Sequence, residues 1–93
     1  MNSLDEVIAE IRKRGEVMLP SDLARLANER LGGELSEYLL IHIFWKAFKV
    51  PIGKMKSVSF WHGVWPQEGA LSDDEFNDRL KQWVPYGSSE RIT

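Results

Sequence analysis

The chain contains no cysteine, so disulfide bonds, thiol nucleophiles and zinc sites built on thiolates are excluded. It also lacks a long hydrophobic run, because the longest, residues 39–45, is interrupted by His42 and is far shorter than a membrane span. The first residues show no basic segment followed by an apolar one, so we expect no secretory signal peptide. Together these absences favour a cytoplasmic protein with no membrane association.

The remaining composition is that of one small domain. The 93 residues are 43% hydrophobic and 28% charged, which is too apolar for a disordered chain. A chain of this length can bury about 60–65% of its extended-chain surface, enough for one core without metals or disulfides. We predict a single helical domain over residues 1–85, followed by a flexible C-terminal tail over residues 86–93.

Helical spacing and end signals predict the first helix over residues 4–14. Ser3 and Glu6 have the spacing of a capping box at its start. Gly15 follows a basic last turn and is expected to end the helix in the left-handed conformation. The apolar positions share one helix face, and they are Leu4, Val7, Ile8 and Ile11.

Two further helices follow, and the second of them is predicted to lie at the centre of the fold. One opens at Ser21 and stops at the glycine pair of residues 32–33. The next is capped by Ser36 and runs to about Phe48. It is apolar nearly all round, with Trp45 expected in the core, so we predict that the other helices pack around it.

The segment of residues 52–62 fits a helix, although Val58 and Phe60 alternate as they would in a strand. We favour a helix, because a lone strand would have no partner in this chain. A last helix opens at Ser72 with an acidic first turn and is stopped by Pro85. Its predicted buried stripe consists of Phe76, Leu80, Trp83 and Val84. The predicted fold class is therefore all-α, a single-domain bundle of four to five short helices around a central apolar helix.

The residues show no pattern typical of an active site or a metal centre. The only two histidines, His42 and His62, are twenty residues apart with no carboxylate at metal-ligand spacing. No Gly-x-Ser-x-Gly turn and no glycine-rich phosphate loop occurs. We therefore predict no catalytic residues, no metal, no cofactor and no small-molecule substrate, and we expect that the chain is not an enzyme.

Residues 20–27 have the composition of the first helix of a helix-turn-helix motif, which leaves a DNA-binding regulator as the alternative function. Such a regulator would place Arg25 and Arg30 on phosphates. The helix that follows presents leucine, isoleucine, phenylalanine and tryptophan instead of side chains that bind base edges. The net charge of −2 also removes the attraction to phosphate on which DNA affinity depends, so we expect no nucleic acid as the partner.

Charge is distributed unevenly along the chain, and its C-terminal third is acidic. Residues 35–63 carry four lysines against one glutamate, whereas residues 64–93 carry three basic and six acidic side chains. Carboxylates beside a large aromatic residue would form a docking surface for a cationic protein. We name this predicted surface the acidic edge, and it consists of Trp65, Glu68, Asp73, Asp74 and Asp78. Trp61 and Trp65 either clamp the loop onto the bundle or serve as exposed interface anchors.

The central and C-terminal residues resemble a known family. The matching residues are 38–40, 44–52, 61, 71–76 and 80–83, together with the Trp-Pro-Gln-Glu-Gly sequence at 65–69. They are similar to the bacterial immunity proteins that neutralise nuclease toxins, a group that includes partners of contact-dependent growth inhibition toxins and of nuclease colicins. The resemblance implies a stoichiometric inhibitor without a cofactor. The carboxylates of the acidic edge would then bind a basic toxin domain and cover its active or substrate-binding surface.

Overall fold

Five α-helices build the fold of residues 3–64 and 68–84, the part of the chain that the computed structural model describes. In chain order they are α1 (Leu4–Arg14), α2 (Pro20–Arg30), α3 (Glu37–Phe48), α4 (Ile52–Val58) and α5 (Asp73–Leu80). The predicted all-α, single-domain class is confirmed. The tail predicted for residues 86–93 lies outside the described residues, as does Trp65 of the acidic edge.

Side-chain caps set where α1 and α3 begin. Ser3 Oγ accepts a hydrogen bond from the Glu6 backbone N–H at 3.3 Å, and Ser36 Oγ accepts one from the Leu39 N–H at 3.2 Å. Both bonds satisfy N–H groups that the start of a helix leaves without a partner. The predicted extents of these two helices are confirmed.

The start of α2 and the end of α1 differ from the predictions. α2 begins at Pro20, one residue earlier than predicted, because the fixed φ of proline suits the first helical position. Gly15 is not left-handed, with a φ of −61°, because the chain continues in a turn in which the Val17 N–H donates to the Arg14 carbonyl at 3.1 Å. A positive φ occurs instead at Lys49, where it is 58° as the chain leaves α3.

Residues 52–62, which fitted a helix or a strand, divide between helix and a single β-bridge. The first 7 residues form α4, as predicted. The chain then pairs Trp61 with Leu71 in a parallel bridge, in which the His62 N–H donates to the Leu71 carbonyl at 3.0 Å. The Leu71 N–H in turn donates to the Phe60 carbonyl at 3.0 Å. The bridge ties the segment after α4 to the residue that precedes the cap of α5.

The last helix, α5, is shorter than predicted. It ends at Leu80, because the following residues form a turn in which the Trp83 and Val84 N–H groups both donate to the Leu80 carbonyl, at 3.0 and 3.2 Å. Val84 is nevertheless buried, and Trp83 packs partly buried against the core. Trp83 and Val84 of the predicted apolar stripe therefore pack against the core, although α5 ends before it reaches them.

Only one face of the helix α3 is buried in the core. That face packs against α1 and α4, while α5 packs against α2. Its buried residues are Leu40, Ile43, Phe44 and Ala47. Trp45, which was predicted to lie in the core, is 40% exposed. The prediction was wrong because helical geometry turns this position away from the face that α1 and α4 cover.

Aromatic contacts connect α3 to the C-terminal part of the chain. The rings of Phe44 and Phe76 meet edge to face with centroids 6.0 Å apart. Phe76 also stacks on Trp61, with centroids 5.0 Å apart. All three side chains are buried, and we name them the aromatic spine. The spine joins α3, α5 and the bridge segment into one core.

Replacing Phe44 with alanine should remove a fully buried ring and lower the free energy of unfolding by about 3–5 kcal/mol. Replacing Tyr38, which lies on the exposed side of the same helix, should change it by less than about 0.5 kcal/mol. Chemical denaturation followed by circular dichroism measures both values. A near-neutral Phe44→Ala, or a spectrum dominated by β-structure, would contradict this architecture.

Candidate functional site

Asp73 of the acidic edge is held at the start of α5 by a capping box. Ser72 Oγ accepts a hydrogen bond from the Glu75 N–H at 3.2 Å, and the Glu75 carboxylate accepts one from the Ser72 N–H at 3.2 Å. This reciprocal pair, which the spacing of the two residues predicted, fixes the first turn of the helix. The carboxylate of Asp73 is thereby placed against α2 and the bridge segment.

Three side chains from other parts of the fold bind the Asp73 carboxylate. Trp61 Nε1 donates to Oδ1 at 2.8 Å, and a guanidinium nitrogen of Arg25 donates to Oδ2 at 2.6 Å. His62 Nε2 lies 2.7 Å from Oδ1 and donates to it, because an ionised carboxylate can only accept. Arg25 also lies over the Trp61 ring, 5.4 Å from its centroid. We name Asp73 and these three partners the Asp73 node.

The node lowers the pKa of Asp73. Partial burial by itself raises the pKa of this carboxyl, but the hydrogen bonds from Arg25, Trp61 and His62 outweigh it. The pKa falls from its ordinary value of 3.8 to about 2. Because folding favours the ionised form, the node stabilises the protein above about pH 4 and loses that contribution as the pH falls toward about 2.

Trp61 clamps the loop onto the bundle, which is one of the two roles predicted for it. It is 1% exposed, stacks on Phe76 and donates its indole N–H to Asp73. Its ring also occupies the space that a side chain at Gly63 would need, so that position has no room for a Cβ atom. Asp73 therefore has a structural role, which reasoning from charge alone had missed.

The other described carboxylates of the acidic edge are exposed, and they do not all line one hollow. Asp73 and Asp74 line one shallow surface hollow, which Glu68 and Asp78 do not line. Asp78 forms an ion pair with Lys81 at 3.0 Å. The role of the acidic edge as a partner-binding surface therefore stays a prediction.

The exposed side of α3 carries a row of aromatic rings. Tyr38, His42 and Trp45 follow one another at i, i+4 and i+7 along one helix face. The Tyr38 and His42 rings stack with centroids 6.1 Å apart and an interplanar angle of 11°, and the His42 and Trp45 centroids are also 6.1 Å apart. Tyr38 is 72% exposed, so much of this aromatic area faces solvent.

The row forms one wall of an apolar groove between α3 and α4. On the α4 side lie Lys56 and Ile52, which is 46% exposed. The groove encloses about 280 Å³, and the residues that line it are Tyr38, Ile41, His42, Trp45, Ile52 and Lys56. We name it the aromatic groove. The spacing of the three rings is visible in the sequence, but a helix that is apolar nearly all round does not reveal which face stays exposed.

Lysines of the same two helices bring positive charge to the aromatic groove. Lys46 Nζ lies 4.9 Å from the centroid of the Trp45 ring, and Lys56 lines the groove itself. Lys49 and Lys54 do not line the groove, because Lys49 lines a separate hollow and Lys54 Nζ lies 5.6 Å from the centroid of the Trp83 ring. Among residues 3–64 and 68–84, none of these four lysines forms an ion pair. The groove is therefore apolar inside and bordered by two cations without an ion pair, Lys46 and Lys56.

The two histidines lie on different surfaces and have different neighbours. His42 stacks on Tyr38, whereas His62 binds Asp73. Within the described ranges, no group of three or more histidine, cysteine, aspartate or glutamate side chains could hold a metal ion. Of the five helices described, none has both the length and the apolar character needed to cross a membrane.

No model of a known protein family, no curated protein sequence and no solved structure matches the chain. The resemblance to immunity proteins therefore stays a prediction.

Replacing Asp73 with asparagine should lower the free energy of unfolding by about 1–2 kcal/mol at neutral pH, because Arg25 and His62 lose a charged partner. The difference from the wild-type protein should shrink as the pH falls from about 4 to about 2, where Asp73 itself takes up a proton. Denaturant titrations across this pH range measure both effects.

Asp74→Asn is the matched control, since Asp74 lies in the same first turn of α5 and is exposed. It should lose only the favourable interaction with the helix dipole, about 0.3–1 kcal/mol. An Asp73→Asn protein as stable as this control at neutral pH would argue against the structural role of the node. So would a difference from wild type that stays constant down to about pH 2.

Proposed function

We propose that this chain is a protein-binding domain that acts as a stoichiometric inhibitor, an immunity protein of the kind that its sequence resembles. The observation that carries the proposal is the aromatic groove, where Tyr38, Trp45 and Ile52 leave large apolar area exposed. Exposed apolar patches bordered by polar residues mark sites of protein interaction, and tryptophan and tyrosine are frequent anchors of interfaces.

The side chains of Tyr38, His42 and Trp45, which form the aromatic row, do not belong to the core. The covered face of α3 is filled by its own buried residues, Leu40, Ile43, Phe44 and Ala47. In the described part of the chain, no buried side-chain nitrogen or oxygen lacks a hydrogen-bond partner. An exposed aromatic row on a helix that already has a buried face contributes little to the core, so its presence supports a binding role.

Binding without chemistry is supported by the contacts that occupy the polar side chains. His62 is bonded to Asp73. Ser57 Oγ and Ser59 Oγ donate to backbone carbonyls of α4, at 2.6 and 3.2 Å. A serine nucleophile needs a base within hydrogen-bond reach, and neither hydroxyl is paired in that way. Inhibition in the cytoplasm would then consist of covering the active or substrate-binding surface of the partner.

The alternative, a DNA-binding regulator, is weakened at the two residues on which it depended. Arg25 pairs with Asp73 at 2.6 Å and Arg30 pairs with Glu10 at 2.8 Å, so both guanidinium groups already bind carboxylates. The exposed face of α3 presents aromatic rings where a recognition helix would contact base edges. Micromolar or tighter, salt-sensitive binding to random-sequence DNA at physiological salt would favour the regulator instead.

The proposal is tested with the protein encoded next to this chain. For an immunity protein, we expect the neighbouring gene to encode a large secreted protein whose C-terminal domain is the toxin. Co-expression of the chain should restore growth to cells that produce this domain, and size-exclusion chromatography should show a one-to-one complex. A harmless neighbouring domain, or a toxic one that the chain neither binds nor neutralises, would overturn the proposal.

Two double variants identify the surface that docks. Tyr38→Ala with Trp45→Ala removes the aromatic wall and should abolish protection, because losing an interface anchor costs about 2 kcal/mol or more. Glu68→Lys with Asp78→Lys reverses charge on the acidic edge and should leave protection intact. The prediction of a basic partner on the acidic edge requires the opposite pair of results. All four positions are exposed, so a nearly unchanged melting temperature is the control for folding.

A further inference from the structure

The chemistry that lines and borders the aromatic groove specifies what kind of partner fits it. We infer that the groove docks an acidic segment of the partner protein, an inference that rests on the proposed function. An apolar side chain of that segment enters between Tyr38, Trp45 and Ile52, and its carboxylates lie beside the lysines of α3 and α4. The groove would thus bind an acidic partner, whereas the acidic edge would bind a basic one.

The size and lining of the groove suit an inserted side chain. Its volume of about 280 Å³ has room for one inserted side chain of the partner. Lys56 and His42 supply the only charged or imidazole groups among its six lining residues. A leucine, methionine or phenylalanine of the partner would be buried there without leaving a polar group unpaired.

Positive charge around the groove is left unbalanced by the fold. Glu37 is the only carboxylate between residues 35 and 63, which carry four lysines. In the part of the chain that the structure describes, those lysines have no carboxylate partner. A neighbouring hollow is lined by Arg12, Lys46 and Lys49 and by no carboxylate. The positive surface therefore extends along the C-terminal end of α3.

Several carboxylates on the other helices bind cations of their own. The pairs are Glu10–Arg30 at 2.8 Å, Asp73–Arg25 at 2.6 Å and Asp78–Lys81 at 3.0 Å. In the described part of the chain, the other cations without an ion pair are Arg12, Lys13 and Arg79. They lie on α1 and α5, which also carry carboxylates without a cation, whereas the four lysines of residues 46–56 have no carboxylate among them. Unpaired surface charge of one sign steers a partner of the opposite sign over about 8–10 Å at physiological salt.

A second copy of the chain does not match these charges. Symmetric pairing through the groove would bring together the lysines of both copies, and like charges across an interface are unfavourable. An unlike, acidic partner satisfies both the apolar lining of the groove and the lysines that border it.

Two synthetic peptides test the inference with the full chain. Both form amphipathic helices with the same leucine-bearing face, but one carries glutamate and the other lysine at its polar positions. We expect the glutamate peptide to bind about tenfold more tightly or better, with amide NMR shifts centred on residues 38–56. Raising the salt from about 50 to about 300 mM should weaken it several-fold, because screening removes the contribution of the lysines.

Variants of the chain separate the apolar and the charged contributions. Trp45→Ala should weaken binding of the glutamate peptide by about tenfold or more. Lys46→Glu with Lys56→Glu should reverse the preference between the two peptides. The matched control, Lys13→Glu with Arg79→Glu, changes the net charge equally at exposed positions that do not line the groove, and it should keep the preference.

Four outcomes in which the chain does bind would overturn the inference. They are equal binding of both peptides, NMR shifts centred on α5, self-association of the chain through the groove, and binding to anionic phospholipid vesicles in place of the glutamate peptide. Failure of both peptides to bind overturns it as well. That failure leaves the proposed function standing, because growth protection tests the function with the toxin domain itself.

Discussion

Trp61 stacked on Phe76, with its indole N–H bonded to Asp73, is the contact on which the rest of the fold depends. Phe76 meets Phe44 of α3, so one line of rings joins the central helix to the C-terminal part of the chain. The indole can be buried because a carboxylate accepts its hydrogen, and that carboxylate is fixed by the capped start of α5. Packing and hydrogen bonding thus support each other at one place.

The same arrangement leaves α3 with a second apolar face. α1 and α4 cover the side that carries Phe44, and no described helix covers the side that carries Tyr38 and Trp45. The short helix α4 instead contributes Ile52 to the far wall of a groove. An exposed apolar helix face in so small a bundle is typical of a surface that another protein covers, which is the basis of the proposed binding role. The fold and the proposed function therefore follow from one feature of the sequence.

Local signals in the sequence predicted what depends on neighbouring residues, and they missed what depends on distant ones. Ser3, Ser36 and Ser72 cap helices through residues three positions away, so their roles were predictable. The exposure of Trp45 depends on which face α1 and α4 cover. The structural role of Asp73 depends on Arg25, which is 48 residues away. Composition and spacing show neither which face of α3 is covered nor that Arg25 contacts Asp73.

The most direct test of the docking surface is hydroxyl-radical footprinting of the chain alone and in complex with the partner domain that the proposed function predicts. Radicals oxidise exposed aromatic side chains, so Tyr38 and Trp45 should be labelled in the free chain, whereas the buried Trp61 serves as the internal control. Binding should protect Tyr38 and Trp45 and leave Trp61 unlabelled throughout. Unchanged labelling of Tyr38 and Trp45 in a saturated complex would contradict the proposed docking surface.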